Sequence, residues 1–215
     1  ALDKVEGIDR YRISSIEPNL LTDEIIRFIA ESKKFLPHFH IPLQSGSDTI
    51  LKAMRRRYQT DFFAERINAI KSILPDAGIG MDVIVGFPGE TDNYFQQTYD
   101  FLNIIDVSYL HVFSFSEREH TDAEYISPKV RPERIMERSR ILHSLSRKKN
   151  SHFFQHNLGS VKKVLIENCN KGLLSGLTEN YIRVQTVGIP GEVNTIIPVQ
   201  LRYINGDKMT GQKIS

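Results

Sequence analysis

Short apolar runs alternate with longer amphipathic stretches through the first 127 residues. Four runs are apolar, partly β-branched and bounded by polar residues or by Gly and Pro, and they cover residues 11–15, 39–43, 81–85 and 110–115. Each of these patterns predicts a buried strand. Between the runs, stretches that open near Thr22, Asp48, Thr60 and Thr91 repeat apolar residues at helical spacing. They predict four helices, the first of them capped by Thr22.

The order strand, helix, strand predicts parallel strands joined by right-handed crossovers, and hence an α/β fold. Four strands are too few for an eight-unit barrel, so a small open sheet and a piece of a larger barrel are both open. Residues 2–8 have a helical pattern and run directly into the first predicted strand. This abrupt start favours a piece of a larger barrel.

The pattern changes in the second part of the chain. Pro132 is placed to be the first residue of a long basic helix, residues 132–156, with an apolar face that includes Leu142 and Phe153. After Gly159, five short strand-like runs are separated by Gly and Asn, at residues 161–167, 173–178, 181–187, 195–201 and 208–214. Such spacing predicts a small antiparallel β-barrel of the kind that binds oligonucleotides. We therefore divide the chain into domains at residues 1–157 and 158–215.

Composition and cysteine usage narrow the class of protein. Hydrophobic residues make up 40% of the chain and charged residues 25%, which is typical of a globular protein. There is no apolar run of about 20 residues and no signal peptide pattern, so we expect a cytoplasmic protein without a membrane partner. The lone cysteine, Cys169, excludes an intrachain disulfide, a cysteine zinc site or a cluster built from this chain's own cysteines.

The charge is distributed unevenly. Residues 1–127 contain 13 Lys and Arg against 20 Asp and Glu, whereas residues 128–215 contain 15 against 6. A basic carboxy-terminal part suggests a polyanionic partner bound at that end. A basic helix that is simply solvated remains the alternative.

Candidate chemistry lies beyond the carboxyl ends of the predicted strands, where ligands bind in parallel sheets. Polar residues follow every strand, although polar strand ends are common in any protein. The run at residues 86–91 (GFPGET) permits close approach to a phosphate or an adenine, but it lacks the Lys of a P-loop. His38 and His40 present two imidazoles on one strand face at metal spacing. No third ligand is near in sequence, so we expect His40 to form a hydrogen bond.

Four ordered motifs carry a resemblance to a known family. They are residues 12–18 (RISSIEP), residues 40–48 (HIPLQSGSD) followed by Leu51, Met54, Arg56 and Tyr58, residues 82–91 (DVIVGFPGET), and residues 111–113 (HVF) followed by Ser116, Arg118, Thr121 and Ala123. In order and spacing they resemble the radical S-adenosylmethionine (SAM) methylthiotransferases over essentially the whole chain. The last 55 or so residues resemble the TRAM domain that ends this family.

The resemblance implies an incomplete parallel (β/α) radical SAM barrel of four strands followed by a small antiparallel TRAM barrel. Residues 12–18 and 111–113 look most like the branch that modifies threonylcarbamoyladenosine in tRNA. The isopentenyladenosine branch and the branch that modifies a ribosomal-protein aspartate are the alternatives. Glu119 and His120 depart from the family pattern, in which a Gly precedes Thr121.

The implied cofactors are SAM and two 4Fe–4S clusters. The cluster cysteines would lie upstream of this chain, so the resemblance assigns no catalytic or metal-binding residue here and implies that the chain alone is inactive. In the intact enzyme, SAM would be cleaved to a radical that takes hydrogen from adenine C2 before sulfur and a methyl group are added. The partner would be the anticodon stem-loop of tRNA, and a stand-alone RNA-binding module is the alternative function.

Residue roles also follow from the resemblance. SAM would contact Ser15, Glu17, Gln44, Arg56, Gly86 and Phe87, the last two at its adenine. Substrate would contact Ser116 and Arg118, and the RNA phosphates would contact Lys162, Lys163, Arg183 and Arg202. Glu17 as a helix cap and Arg56 as a surface cation are the structural alternatives. A cut barrel also exposes an apolar edge at residues 11–15, where we expect self-association.

Overall fold

A parallel sheet covered by helices occupies the first part of the chain, and the computed structural model describes residues 2–117 and 120–214. The helices are α1 (Asp23–Glu31), α2 (Asp48–Ala53), α3 (Thr60–Ile73), α4 (Asp92–Ile104) and α5 (Pro132–Asn157). The strands are β1 (His38–His40), β2 (Gly78–Val85), β3 (Tyr109–Ser114), β4 (Val161–Asn170), β5 (Leu173–Thr178), β6 (Arg183–Val187), β7 (Ile196–Asn205) and β8 (Lys208–Lys213). Short 3-10 turns lie at Leu2–Lys4, Pro18–Leu20, Asp122–Tyr125 and Pro190–Glu192. Among the described helices, none is both long and apolar enough to cross a bilayer.

The sheet has the order β1-β2-β3 with all strands parallel, as predicted. The first predicted strand, residues 11–15, does not join the sheet. It is an extended segment with a single bridge, from Tyr11 to Phe35. The hydrogen bonds to the neighbouring segment are interrupted at His38, whose N bonds to Leu36 O, and they resume where Ile16 N bonds to His40 O. The expected self-association at this edge stays a prediction.

Helices α1 and α4 each begin at a threonine whose side chain caps them. Thr22 Oγ1 accepts from Ile25 N and Thr91 Oγ1 accepts from Tyr94 N, both at 3.3 Å. In β2, side chains at odd positions, such as Met81 and Val83, are fully buried in the helix-covered core. Side chains at even positions lie on the opposite face of the sheet. We call that opposite face, which carries Asp82, the inner face.

Helix α5 connects the two parts of the molecule. Ser146 on α5 hydrogen-bonds both N and O of Leu110, which fixes the helix along β3. The 26 residues of α5 make it about 39 Å long. Leu142 and Leu145 belong to the core of the sheet, whereas Phe153 and Phe154 belong to a second core. The helix therefore contributes to both cores.

The second core fills a closed five-stranded barrel, the C-terminal barrel, with strand order β4-β5-β6-β8-β7. Four of its pairings are antiparallel, but β6 and β8 pair in parallel at Val184–Met209 and Gln185–Thr210. The predicted small β-barrel is confirmed, with one parallel pair among its antiparallel pairings. Five strands in a ring cannot all alternate in direction, so one parallel pair is unavoidable.

The C-terminal barrel packs against the amino end of the sheet through the turn between β5 and β6. Asn180 Nδ2 donates to Asp76 O at 2.9 Å, and the Tyr181 ring lies 4.3 Å from that of His38. A Cβ at Gly78 would lie 2.1 Å from Asn180 O, so glycine is required there. The ligand-binding end of the sheet and the C-terminal barrel consequently lie at opposite ends of β2.

Candidate functional site

A cavity of about 470 Å³ opens at the carboxyl ends of the strands. It has polar and aromatic walls, formed by Gln44, Asp82, Ile84, Phe113, Ser114, Phe115, Ser116, Thr121 and Ala123. Small-molecule sites commonly have volumes of about 300–1,000 Å³. Two of the residues assigned from the sequence, Gln44 and Ser116, therefore share one ligand-sized cavity, which we call the rim cavity.

Gln44 holds an uncommon backbone conformation at the entrance to this cavity. Its φ is +75°, in the left-handed region that non-glycine residues seldom adopt. Two backbone hydrogen bonds hold it, from Gln44 N to Asp82 O at 2.8 Å and from Ile84 N to Gln44 O at 2.9 Å. The side chain is 9% exposed, so Gln44 is a rigid polar group in the wall of the rim cavity.

The turn after Gln44 is anchored on α4. Thr98 Oγ1 accepts from Gly46 N at 3.1 Å and lies 3.2 Å from Ser45 Oγ. A Cβ at Gly46 would come within 2.7 Å of Thr98 Cα, which explains the glycine. This turn is fixed by buried hydrogen bonds and does not depend on a ligand.

Two amides in the glycine-rich run at residues 86–91 already have hydrogen-bond acceptors. Gly86 N donates to Glu90 Oε2 at 2.7 Å, and Gly89 N donates to Pro128 O at 2.8 Å. Because these two glycine amides are already bonded, neither is available to a phosphate. Phe87 is buried and packs edge-on against Phe115 at 5.2 Å, next to the rim cavity. An aromatic contact to a flat ligand is what this run can supply.

Glu90 ties this run to α5. Its Oε2 accepts from Arg138 Nη1 at 2.7 Å, and the two side chains are 0% and 4% exposed. Burial raises the pKa of the Glu90 carboxyl, whereas the Gly86 amide and Arg138 lower it. Neither residue was assigned from the sequence, because their roles depend on a contact 48 positions apart.

Glu17 and Arg56 form an ion pair at 3.3 Å. Glu17 precedes the turn Pro18–Leu20 but makes no side-chain cap, so the capping alternative is wrong. Arg56 lines a separate outer groove with Tyr58 and not the rim cavity. Ser15 is exposed on the extended first segment. The structure therefore pairs two of the assigned residues with each other, away from the cavity that contains Gln44.

The inner face carries a cluster that sequence reasoning did not assemble. His40 Nε2 lies 2.9 Å from Asp82 Oδ1, and His111 Nδ1 lies 3.4 Å from the same oxygen. His40 thus forms the hydrogen bond that was predicted. The sequence shows only that these residues lie on predicted strands or at their ends. Their meeting depends on strand register, in which Asp82 and His111 are partners.

His38 is separate from this cluster. Its Nε2 lies 2.9 Å from Tyr109 Oη, and its ring lies 4.3 Å from that of Tyr181 at an angle of 31°. Burial, with a smaller contribution from Arg12, lowers the pKa of His38 to about 3. His38 is therefore a neutral, structural histidine where the two domains meet.

The cations assigned to RNA are not gathered in one place. Lys162 is 9% exposed and its Nζ lies 3.3 Å from Asp76 Oδ2, so it is occupied at the domain junction. Lys163, Arg183 and Arg202 are exposed on β4, β6 and β7 respectively. Strand β6 does not neighbour β4 or β7 in the barrel. Arg118, assigned to substrate, lies outside the described residues.

Helix α5 has an exposed basic face that the sequence alone did not separate from its buried cations. Arg138 is buried, and Lys149 Nζ donates to Ile105 O at 2.7 Å. Arg140, Arg147 and Lys148 are exposed. Within residues 2–117 and 120–214, none of these three forms an ion pair.

Comparison with known proteins gives a consistent result. Residues 2–102 match the Radical SAM superfamily. A threonylcarbamoyladenosine tRNA methylthiotransferase of Aquifex aeolicus is 42% identical over 92% of this chain and 47% of its own length. Its Bacillus subtilis counterpart is 38% identical over 92% of this chain and 45% of its own length. This chain thus spans about half the length of these relatives.

Two further proteins extend the comparison. A tRNA-2-methylthio-N(6)-dimethylallyladenosine synthase of Helicobacter hepaticus is 34% identical over 100% of this chain and 48% of its own length. Among solved structures, the coproporphyrinogen III oxidase HemN of Escherichia coli, a radical SAM enzyme, matches with a TM-score of 0.56. That match has 10% identity and covers 95% of this chain and 51% of the other, so it supports the fold alone.

Proposed function

We propose that this chain, which belongs to the radical SAM tRNA methylthiotransferase family, forms the SAM-facing and RNA-facing half of an enzyme that methylthiolates threonylcarbamoyladenosine in tRNA. The single observation that carries the proposal is the 42% identity to a threonylcarbamoyladenosine tRNA methylthiotransferase over 92% of this chain. Similarity to an isopentenyladenosine-type relative is lower, at 34%. A tRNA substrate places the reaction in the cytoplasm.

The rim cavity fits one part of SAM. Gln44 and Ser116 offer polar contacts, while Phe113 and Phe115 offer apolar and aromatic surface for a nucleoside. When bound at its cluster, SAM supplies the radical that starts the reaction. The residues of this chain bind and orient the nucleoside end and exclude water from it. Gly86 and Phe87 support the adenine through packing, because the Gly86 amide is already bonded to Glu90.

The iron–sulfur clusters do not fit this chain. Its one cysteine, Cys169, lies on β4 in the C-terminal barrel and does not line the rim cavity. We propose that the 215 residues alone do not cleave SAM. The cysteines that hold the clusters would then lie upstream of these residues in the intact enzyme. Ser15, Glu17 and Arg56 remain proposed contacts to the methionine or ribose end, which lies outside the rim cavity.

We place RNA binding on the exposed basic face of α5 together with Lys163, Arg183 and Arg202. The exposed Arg140, Arg147 and Lys148 have no ion-pair partner among the described residues, which leaves their charge available to phosphates. Helix α5 reaches from the glycine-rich run to the C-terminal barrel, so a bound stem could extend along it toward the rim cavity. We propose the anticodon stem-loop as that RNA. Lys162 is left out, because it is buried and paired with Asp76, whereas Arg183 is exposed and pairs with Glu167 only at 3.6 Å.

A chimeric enzyme tests this function directly. The amino-terminal half of the Bacillus subtilis relative, joined to this chain, would restore the missing cysteines. We expect it to add a methylthio group to threonylcarbamoyladenosine in a strain that lacks the native gene, detected by mass spectrometry of tRNA nucleosides. A folded, cluster-loaded chimera that modifies isopentenyladenosine instead, or a ribosomal protein, would assign another branch. A folded chimera with no product would refute the proposal.

A stand-alone RNA-binding role is the second candidate, and the exposed basic face of α5 favours it. It predicts that the 215-residue chain alone shifts an anticodon stem-loop in a gel, with an affinity that falls steeply with salt. Absent or salt-insensitive binding would contradict this role. The two candidates are compatible, since the first needs the chimera and the second does not.

A further inference from the structure

We propose that His40, Asp82 and His111 form a binding site for one divalent transition-metal ion on the inner face of the sheet, separate from any iron–sulfur cluster. The three residues come from the three strands β1, β2 and β3. Their ligand atoms, two imidazole nitrogens and one carboxylate oxygen, all lie within 4.8 Å of one another. The inference does not rest on the proposed function, since it concerns this chain's own residues.

The distances match those of ligands that share one ion. Metal–nitrogen and metal–oxygen bonds of about 2.1 Å at tetrahedral or octahedral angles place neighbouring ligand atoms about 3.0–3.4 Å apart. The Asp82 oxygen lies 2.9 Å from His40 Nε2 and 3.4 Å from His111 Nδ1. The His111 side chain is 52% exposed, so a small turn of its ring toward the ion would close the remaining distance, which is already within 4.8 Å.

The donor set and its charge point to the ion class. Two neutral imidazoles and one carboxylate give a net charge of −1, which suits a divalent cation. Imidazole ligands favour zinc, iron, cobalt, nickel or copper over calcium or magnesium. Among the described residues, both ion-pair partners of Asp82 are these histidines, so no Lys or Arg competes for its carboxylate.

Access to the site is open on one side. Asp82 lines the rim cavity, and its side chain is 23% exposed. Three protein ligands leave coordination positions free toward that cavity, as in metal sites that bind a further ligand. The sheet holds two of the three residues at rigid positions, because Asp82 and His111 are register partners.

Cobalt(II) titration of the 215-residue chain, stripped by a chelator and free of any affinity tag, tests the proposal. We expect one ion per chain, seen by visible ligand-field absorption and displaced by zinc. Asp82→Asn and His111→Asn should each weaken binding at least about tenfold. His156→Asn is the matched control, because His156 also pairs with an aspartate, Asp76 at 3.2 Å, but Lys162 fills the third position.

Binding that is absent, unaffected by Asp82→Asn and His111→Asn, or weakened equally by His156→Asn would overturn the proposal. If the variants fold poorly by circular dichroism, the unmodified chain still decides the question. Cobalt should then broaden the imidazole proton signals of His40 and His111 in NMR spectra before those of His156. The reverse order would refute the site. Neither outcome bears on methylthiolation, which the chimera tests separately.

Discussion

Arg138 on α5 and Glu90 in the glycine-rich run form a buried ion pair, with Arg138 Nη1 2.7 Å from Glu90 Oε2. The same carboxylate oxygen accepts from Gly86 N at 2.7 Å. One carboxylate thus fixes both the helix that leads to the C-terminal barrel and the run beside the rim cavity.

Removing Arg138 should destabilise the protein strongly. Arg138→Met leaves Glu90 buried without its cation, and such a loss costs about 3–5 kcal/mol of unfolding free energy. The double variant Glu90→Gln with Arg138→Met should be more stable than Arg138→Met alone, because no unpaired charge remains and Gly86 keeps an acceptor. Urea denaturation measures both. Arg134→Met is the control, since exposed Arg134 pairs with Asp92 and Glu137 at the surface and its loss should destabilise the protein far less than the loss of Arg138.

Gly86→Ala should be far more costly than Gly7→Ala. Both glycines have positive φ, at 83° and 76°, so both substitutions carry a backbone cost of about 1–2 kcal/mol. Only at Gly86 would the new Cβ meet a neighbour, Ile135 Cγ1 at 2.5 Å, which adds about 1–3 kcal/mol. Thermal unfolding of the two variants gives the comparison. Equal destabilisation would show that the contact with Ile135 relaxes freely.

The stability of the protein should depend on Lys149 at alkaline pH. Burial lowers the pKa of Lys149 from 10.5 to about 8, although Asp106 raises it. Between these values the unfolded chain binds more protons than the folded one, so stability should rise with pH there. Relative to Lys149→Met, the unfolding free energy of the wild type should gain about 1–2 kcal/mol between pH 8 and pH 10.5, since solvent screens part of the effect. A flat difference across this range would contradict the burial of the ammonium group.

The exposed basic face of α5 should account for part of the salt dependence of RNA binding. Each phosphate contact contributes about 0.7–0.9 to the slope of log affinity against log salt. Arg140→Gln with Arg147→Gln should therefore lower the slope by about 1.5 for an anticodon stem-loop. Arg27→Gln with Lys33→Gln, on exposed positions at α1, is the charge-matched control. A drop seen instead with Arg183→Gln and Arg202→Gln would place the contact on the C-terminal barrel.

The domain junction should depend on the absence of a side chain at Gly78. Gly78→Ala would place a Cβ 2.1 Å from Asn180 O and push the C-terminal barrel away from the sheet. We expect faster proteolysis within the junction and an unfolding free energy lower by about 2 kcal/mol. Gly191→Ala, with no atom within 4 Å, should leave both unchanged. Equal behaviour of the two variants would mean that the junction adjusts at no cost.

Local pattern predicted most elements because each buries one face. Thr22 and Thr91 cap helices as expected, and α5 ends at Asn157, one residue beyond the predicted end. The first residues of β2 escaped prediction, since Gly78 and Gly80 carry no side chain to show a strand pattern. The segment at residues 11–15 has a strand composition, but its pairing with the neighbouring segment is interrupted at His38, whose amide bonds to Leu36 O.

The candidate site was only partly predictable, because strand ends are visible in sequence and strand register is not. Gln44 and Ser116 follow strands and do line the rim cavity. His40 and Asp82 are 42 positions apart, and only the register of the sheet shows that they meet. Lys162 is a basic residue on a barrel strand, which is why the sequence suggested an RNA contact. Packing of the barrel against the sheet buries it next to Asp76 instead.

The turn at residues 179–181 covers the inner face at the amino end of the sheet. The Tyr181 and His38 rings lie 4.3 Å apart there, and Asn180 Nδ2 donates to Asp76 O. The C-terminal barrel therefore closes the inner face at its amino end, and the described opening toward Asp82 is the rim cavity at the other end.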